Sequence, residues 1–146
     1  MRELTLDEVR KMMAAANAKA REFGVPHSVA IVDSGGHLRA FERPEGGRIA
    51  NVDIAIKKAW TAIAFKRPTQ MVREILLPDR MAYGLQHTDA RICIVGGGLP
   101  IVEKGECLGA IGSSAGTIEQ DTEVCLAALR AGGFDTDFVN PLAAAR

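Results

Sequence analysis

The sequence has few aromatic side chains, few cysteines and no excess of charge of either sign. Its 18 lysines and arginines balance 18 aspartates and glutamates, so we expect no general electrostatic attraction to nucleic acid or to an anionic membrane. No apolar run is long enough to span a bilayer. The first residues lack the basic segment and apolar run of a secretory signal. These absences predict a cytoplasmic protein that binds neither nucleic acid nor membrane.

Common metal and disulfide motifs are also missing. Cys93, Cys107 and Cys125 form no CxxC pair, and each lies in an apolar run, which favours buried thiols. The histidines form no HxH, HxxxH or HExxH pattern, so the sequence encodes no local zinc site. A haem needs only one or two axial ligands, and a lone histidine can serve as one of them. Haem is therefore not excluded by the same argument.

The chain length and composition predict one globular domain over residues 1–146. Of its 146 residues, 47% are hydrophobic and 25% are charged, as in ordinary folded proteins. Aromatic residues make up only 5%, whereas there are 15 glycines, so the core is expected to consist of small aliphatic side chains.

Helical periodicity is present in four segments of the chain. Helices are predicted over residues 5–23, 49–65, 69–77 and from 117 to the glycines at 132 and 133. Thr5 with Glu8, and Thr117 with Gln120, match the capping box that fixes a helix N-terminus.

Five short segments have the composition and alternation of strands. They cover residues 28–32, 37–42, 91–95, 99–102 and 107–114. The first two form a hairpin around a Ser-Gly-Gly turn, and the last two are joined by another turn. The apolar run 91–95 is predicted to be a central strand. Because the strands occur as hairpins and not in βαβ units, the sequence predicts an α+β domain with an antiparallel sheet and helices packed on it.

Two glycine-rich segments are candidates for ligand binding. Gly96 to Gly98 precede a strand and not a helix, which argues against a phosphate-binding loop and favours a connection between strands. The segment from 112 to 117 leads from a strand into a capped helix, so Ser113, Ser114 and Thr117 could bind a ligand carboxylate there. The alternative is that Thr117 only caps the helix. The same segment matches the GxSxG pattern of α/β-hydrolases. That class needs a histidine later in the sequence than the serine, and none follows here, which excludes it.

Most of the charged side chains are expected to be solvated. This holds for the lysines along the second helix, including Lys58, although Arg43 and Lys57 are candidates for binding an anionic ligand. Asp33, followed by Ser-Gly-Gly, is most simply a turn residue.

Three stretches of the sequence are typical of a known family. They are VAIVDSGGHLRAF over 29–41, IKKAWTA over 56–62 with FKRPT over 65–69, and GGLPIV over 97–102 with GECLGAIGSSAGTIEQD over 105–121. With these stretches, the chain resembles the GlcG/HbpS-like family, which also occurs as the C-terminal domain of PduO-type proteins. The resemblance extends from the first helix to about residue 133.

The resemblance implies a profilin-like fold with a five-stranded antiparallel sheet flanked by helices. It also implies homo-oligomers built from dimers, up to octamers. Some family members bind haem, and one branch is described as haem-degrading. In haem-binding members of the family, a histidine near the first strand and a threonine later in the domain are implicated in haem binding. His27 and Thr117 are the positions here that correspond best.

Three functional hypotheses follow from these observations. The first is a cytoplasmic protein that binds haem or a related tetrapyrrole. Its iron ligand would be His27, and its carboxylate-binding residues would be Arg43, Lys57, Ser113, Ser114 and Thr117.

The second hypothesis is a small catabolic enzyme, a tautomerase, isomerase or hydrolase, acting on a carboxylate-bearing metabolite. Its acid–base candidates are Asp33, His37, Glu119 and Asp121. Arg43 or Lys57 would bind the substrate carboxylate. Glu119 and Asp121 also have a simpler interpretation, since both lie where a carboxylate stabilises a helix N-terminus. The third hypothesis is an accessory subunit with neither activity.

Overall fold

The computed structural model describes residues 1–138 and has the α+β architecture. Its helices are α1 (Leu6–Phe23), α2 (Ile49–Phe65), α3 (Thr69–Ile75) and α4 (Ile118–Gly132). Its strands are β1 (Ser28–Asp33), β2 (Leu38–Glu42), β3 (Gly98–Glu103) and β4 (Glu106–Ser114). Residues 139–146, which the predicted domain includes, lie outside the described residues.

The four strands form one antiparallel sheet in the order β2-β1-β4-β3. Ile31 of β1 and Leu99 of β3 both pair with Ile111 in the central strand β4. Pro100 lies in β3, an edge strand of this sheet, where a residue without an N–H group is tolerated.

The two faces of the sheet carry separate cores because successive side chains of a strand point to opposite sides. Val29 and Ile31 pack in the larger cluster, with buried residues of α1 and α4. Ala30 and Val32 pack in the smaller cluster, with the alanines of α2. The sheet therefore separates the helix pair α1 and α4 from α2.

Close contact between α2 and the sheet depends on glycine. A Cβ atom added to Gly112 of β4 would lie 2.2 Å from the carbonyl oxygen of Ala55. The backbone of α2 therefore rests directly on β4, which explains why this strand of small residues faces a helix rich in alanine.

The predicted helices, the first hairpin and the antiparallel order are confirmed. Both predicted capping boxes are formed, by Thr5 with Glu8 and by Thr117 with Gln120. Of the three cysteines, only Cys125 is fully buried, whereas Cys93 and Cys107 are partly exposed. Within residues 1–138, no helix has both the length and the apolar character needed to cross a bilayer.

The predicted fifth strand, residues 91–95, is wrong. The hydroxyl of Thr61 on α2 accepts a hydrogen bond from the Cys93 amide at 2.8 Å and donates one to the Arg91 carbonyl at 3.2 Å. The Arg91 guanidinium also lies 4.0 Å from the centre of the Trp60 ring. These contacts hold the segment against α2, and the Cys93 amide and the Arg91 carbonyl are not available to the sheet.

Candidate functional site

Three charged or titratable side chains meet in the interior next to the N-terminus of α4. Nζ of Lys58 lies 3.0 Å from Oδ2 of Asp121, and Nε2 of His27 lies 3.1 Å from Oδ1 of the same carboxylate. His27 is 0%, Lys58 1% and Asp121 2% exposed. Charged groups are rarely buried to this degree unless they are paired. The three residues are called the Asp121 cluster below.

The carboxylate of Asp121 is held by the turn that precedes α4. Its Oδ1 accepts hydrogen bonds from the backbone amides of Ala115 and Gly116, at 3.2 and 3.0 Å. Burial by itself raises the pKa of Asp121, but the contact with His27 and the charge of Lys58 outweigh it. The pKa of Asp121 is therefore lower than its ordinary value, and the group is a carboxylate at neutral pH.

Lys58 reaches Asp121 from the opposite side of the sheet. Its Nζ also donates a hydrogen bond to the Ser113 carbonyl at 2.9 Å. A Cβ atom added to Gly97, which has φ +114°, would lie 2.9 Å from this Nζ and 2.8 Å from Cβ of Asp121. The ammonium thus occupies a gap that exists because residue 97 has no side chain.

The expectation that Lys58 is solvated is wrong, and the sequence does contain a signal for its burial. Ala55, Ala59 and Ala62 of α2 are fully buried. Lys58 lies at the position three residues after the first of them, so it falls on the same helix face.

The imidazole of His27 is fully buried and contacts two acceptors. Nδ1 lies 2.8 Å from the Val25 carbonyl oxygen, and because a carbonyl only accepts, Nδ1 carries a proton. Nε2 is within ion-pair distance of Asp121, but the two atoms lack the alignment of a hydrogen bond. The ring also packs near Phe23, with 6.4 Å between the ring centres.

A groove of about 790 Å³ adjoins His27 between the end of α1 and the loop after β2. This volume is in the range of small-molecule and cofactor sites, about 300–1,000 Å³. The residues that line it include Val25 and Pro26, together with Arg21 and Arg43. Within residues 1–138, neither guanidinium forms an ion pair. Two carboxylates, Glu42 and Glu45, also line the groove.

The structure brings together several of the residues that the sequence predicted as ligand-binding. Arg43 and His27 share the groove, and Ser113 adjoins the Asp121 cluster through its carbonyl. The hydroxyl of Ser113 is buried without a hydrogen-bond partner in the described part of the chain. Ser114 donates a hydrogen bond to Asn51 at 3.0 Å. Sequence reasoning missed Arg21, which lies on the exposed face of α1 and has no motif around it.

The other predicted ligand-binding residues lie elsewhere. Lys57 is half-buried on α2 and takes no part in the hydrogen bonds of the Asp121 cluster. Thr117 is exposed and uses its hydroxyl to cap α4, accepting from the Gln120 amide at 3.1 Å.

The four acid–base candidates do not form a common centre. Asp33 accepts hydrogen bonds from the amides of Gly35 and His37, both at 2.9 Å, in a turn at the far end of β1. Burial raises the pKa of Asp33, but these hydrogen bonds outweigh it and the pKa is lower than usual. Asp33 follows His27 by six positions along the extended chain, a distance of roughly 20 Å. Glu119 is exposed and lines a separate groove. Of the four acid–base candidates, Asp121 alone contacts Lys58 and His27 in the buried cluster.

Comparison with known proteins gives consistent matches over most of the chain. A family model described as haem-degrading protein HbpS-like matches residues 4–130. A 15.0 kDa protein from the dhaT–dhaS intergenic region of Citrobacter freundii is 40% identical over 119 residues, which are 81% of this chain and 84% of that protein.

Two further matches concern PduO proteins. The corrinoid adenosyltransferase PduO of Citrobacter freundii is 33% identical over 129 residues, covering 88% of this chain but 38% of PduO. The chain thus spans little more than a third of PduO. A solved structure of a PduOC–haem complex has a TM-score of 0.89 and 30% identity, covering 92% of this chain and 99% of that one.

Proposed function

Because the chain belongs to the HbpS-like family, we propose that it binds haem or a related tetrapyrrole in the groove beside His27. The family resemblance predicted from the sequence is thereby confirmed, whereas the ligand and its site are our proposal. The observation that carries the proposal is that Arg21 and Arg43, which form no ion pair within residues 1–138, line the same groove as His27.

The residues of the groove fit the chemistry of haem. Arg21 and Arg43 are suited to bind the two propionate groups, because guanidinium pairs with carboxylate through two parallel hydrogen bonds. Val25 and Pro26 offer apolar surface to the macrocycle. When bound, haem iron supplies redox and small-molecule chemistry, which the protein tunes through its axial ligand.

His27 is the proposed axial ligand. Histidines that bind metals usually donate the N–H of the other ring nitrogen to a carbonyl or carboxylate, and Nδ1 of His27 meets the Val25 carbonyl in this way. Nε2 has no hydrogen-bond partner within the described residues. It lies beside Asp121, so ligation requires the imidazole to separate from that carboxylate.

Hemin titration followed by absorbance tests this function. We expect a Soret band that saturates at one hemin per site, and a weaker complex for Arg43→Ala. Arg80→Ala, an exposed arginine outside the groove, is the matched control and should bind as the wild type does. A His27→Gln variant that remains folded should retain hemin more weakly and with a shifted Soret band. Equal binding by Arg43→Ala, Arg80→Ala and the wild type would contradict the proposal.

The proposal includes a cytoplasmic, dimer-based homo-oligomer that can reach an octamer. Support comes from large apolar side chains that are exposed in the single chain, including Ile49 and Met81. Light scattering after size exclusion tests it, and a monomer at micromolar concentration would contradict it. The enzyme alternative, acting on a carboxylate-bearing metabolite, stays a prediction from the sequence.

A further inference from the structure

We propose that the groove between α1 and the edge strand β2 binds an extended acidic segment of another protein, which pairs with β2 and places its carboxylates on arginines of the groove. The groove has a volume of about 550 Å³. Its charged lining residues are Arg10, Arg21, Arg39 and Glu42. It is called the α1–β2 groove below. Binding of such a segment does not require haem.

One face of α1 forms the first wall of the α1–β2 groove. Arg10, Ala14, Asn17 and Arg21 line the groove, and they follow one another at intervals of four, three and four residues. This spacing places them in one row along the helix. The two arginines are separated by about 16 Å along the helix axis. About five residues of extended chain cover that length, so a short peptide can reach both of them.

A β-bulge turns a third arginine, Arg39 of β2, into the same groove. The register between β1 and β2 passes from Ala40 directly to Leu38, so Arg39 is not paired with a residue of β1. A bulge of this kind adds one residue to a strand and redirects its side chain. Arg39 therefore lines the groove together with its neighbour Ala40, and its guanidinium donates a hydrogen bond to the Leu4 carbonyl at 3.0 Å.

The α1–β2 groove has an excess of positive charge, although the chain as a whole has none. Three arginines line it against the single carboxylate of Glu42, which accepts a hydrogen bond from the Asn17 side chain. Within residues 1–138, none of the three arginines forms an ion pair. Carboxylates of a ligand would supply the missing partners, since guanidinium pairs with carboxylate through two parallel hydrogen bonds.

The strand β2 offers backbone groups to the same ligand. It lies at one edge of the sheet, and in the described part of the chain its one neighbouring strand is β1. An edge strand has a row of unpaired N–H and C=O groups, with which an extended peptide can form a further strand. Alternate side chains of that strand would point toward α1 and its arginines. The edge therefore favours a peptide with a carboxylate at every second position.

A peptide fits the α1–β2 groove better than a uniform polyanion such as nucleic acid. Glu42 lies in the groove and would repel a phosphate placed against it, whereas a peptide can place a neutral residue there. Leu6, which is 50% exposed, adds apolar surface that suits an aliphatic side chain. A second copy of this chain is also disfavoured, because two-fold pairing of β2 with β2 would bring the same arginines of both copies together.

Fluorescence anisotropy with a synthetic peptide tests the site on the full ligand-free chain. The probe is a labelled peptide of about seven residues with blocked ends that alternates glutamate and threonine. We expect saturable binding that weakens as salt is added. The same peptide with its central residue replaced by proline should bind more weakly, because proline interrupts strand pairing. No binding of the glutamate peptide, or equal binding of the proline peptide, would overturn the proposal.

Arg10→Glu tests whether the peptide occupies the α1–β2 groove. It should weaken binding of the glutamate peptide by at least about fivefold, because a favourable charge pair becomes a repulsive one. Lys11→Glu is the matched control, since it makes the same change of charge at an exposed neighbouring position that does not line the groove. Equal weakening in both variants would show a general effect of charge and overturn the proposal.

Two further measurements distinguish the other occupants. An oligothymidylate of the same net charge should bind more weakly than the glutamate peptide, and equal binding would overturn the proposal in favour of an unselective anion surface. Light scattering should give the same oligomeric state for Arg10→Glu and the wild type, whereas a change would identify a second copy as the occupant and overturn the proposal. Hemin binding is a separate question, because Arg10 does not line the groove beside His27.

Discussion

Lys58 of α2 and Asp121 of α4 are joined by a 3.0 Å ion pair, although their helices lie on opposite faces of the sheet. The pair connects the two layers at the sheet end where β4 leaves for α4. Both side chains are removed from water, so each depends on the other for its charge to be tolerated.

Lys58→Met is expected to lower the free energy of unfolding by about 3–5 kcal/mol, because it leaves a buried carboxylate without its cation. Lys58→Met/Asp121→Asn should recover most of this loss, since no buried charge remains unpaired. Urea unfolding of the two variants and the wild type measures both effects. If the single variant were as stable as the double variant, the ion pair would not have the role described.

Acid is expected to destabilise the protein through Asp121. Its pKa is lower in the folded state than in the unfolded state, so the unfolded state binds the proton first as the pH falls. The stabilisation is complete above the unfolded value of about 3.9 and is lost as the pH falls through the folded value. Lys58→Met/Asp121→Asn should therefore lose less stability than the wild type below about pH 4.

The comparison between these two proteins isolates the contribution of Asp121. Two other carboxyl groups, Glu8 and Asp89, have pKa values lowered to about 2 by their hydrogen bonds with Arg2 and Arg91. Because both carboxylates are present in the wild type and in the variant, their contributions cancel. If the curves of unfolding free energy against pH were parallel for the wild type and the variant, the pKa of Asp121 would not be lowered by folding.

Gly97→Ala should disrupt the Asp121 cluster by direct contact. The new methyl group would lie within 3.0 Å of Lys58 Nζ, Asp121 Cβ and the Ser113 carbonyl. Gly84→Ala is the matched control, because Gly84 has a similar φ of +108° and no atom within 4 Å of an added Cβ. Both variants incur backbone strain of about 1–3 kcal/mol. Gly97→Ala should lose clearly more stability than Gly84→Ala in urea unfolding, and equal losses would contradict the packing argument.

Thr61→Val should release the segment that contains Cys93 from α2. The substitution keeps the shape of the side chain but removes the acceptor of the Cys93 amide and the donor to Arg91, at a cost of about 1–3 kcal/mol. Hydrogen exchange at the Cys93 amide should become faster. Thr122→Val on the exposed face of α4 is the control and should leave this amide unchanged. Unchanged protection in Thr61→Val would show that another contact holds the segment.

The parts of the fold predicted correctly from the sequence depend on neighbouring residues. The capping boxes of α1 and α4 each involve residues three positions apart, so the local sequence contains the whole interaction. The run 91–95 has the composition of a strand, but Thr61, some thirty positions earlier, binds its backbone. The hydrophobic pattern of residues 91–95 alone cannot show that a distant side chain binds their backbone in place of a neighbouring strand.

The candidate site was predictable only in part for the same reason. Asp121 and His27 were each singled out, but for different roles, and their contact joins residues 94 positions apart in the chain. The helical spacing of Ala55 and Ala59 places Lys58 on a buried face, yet a lysine normally favours solvent. Its burial becomes understandable only when Asp121 is known to face it.

The ammonium of Lys58 has a consequence for how the molecule opens. If α2 moved away from the sheet, it would leave the carboxylate on α4 stranded in an apolar layer, and movement of α4 would strand the ammonium. Separation of either helix from the sheet therefore leaves a buried charge without its partner on the other helix. The amides of the two helices should therefore exchange with solvent in a single concerted event.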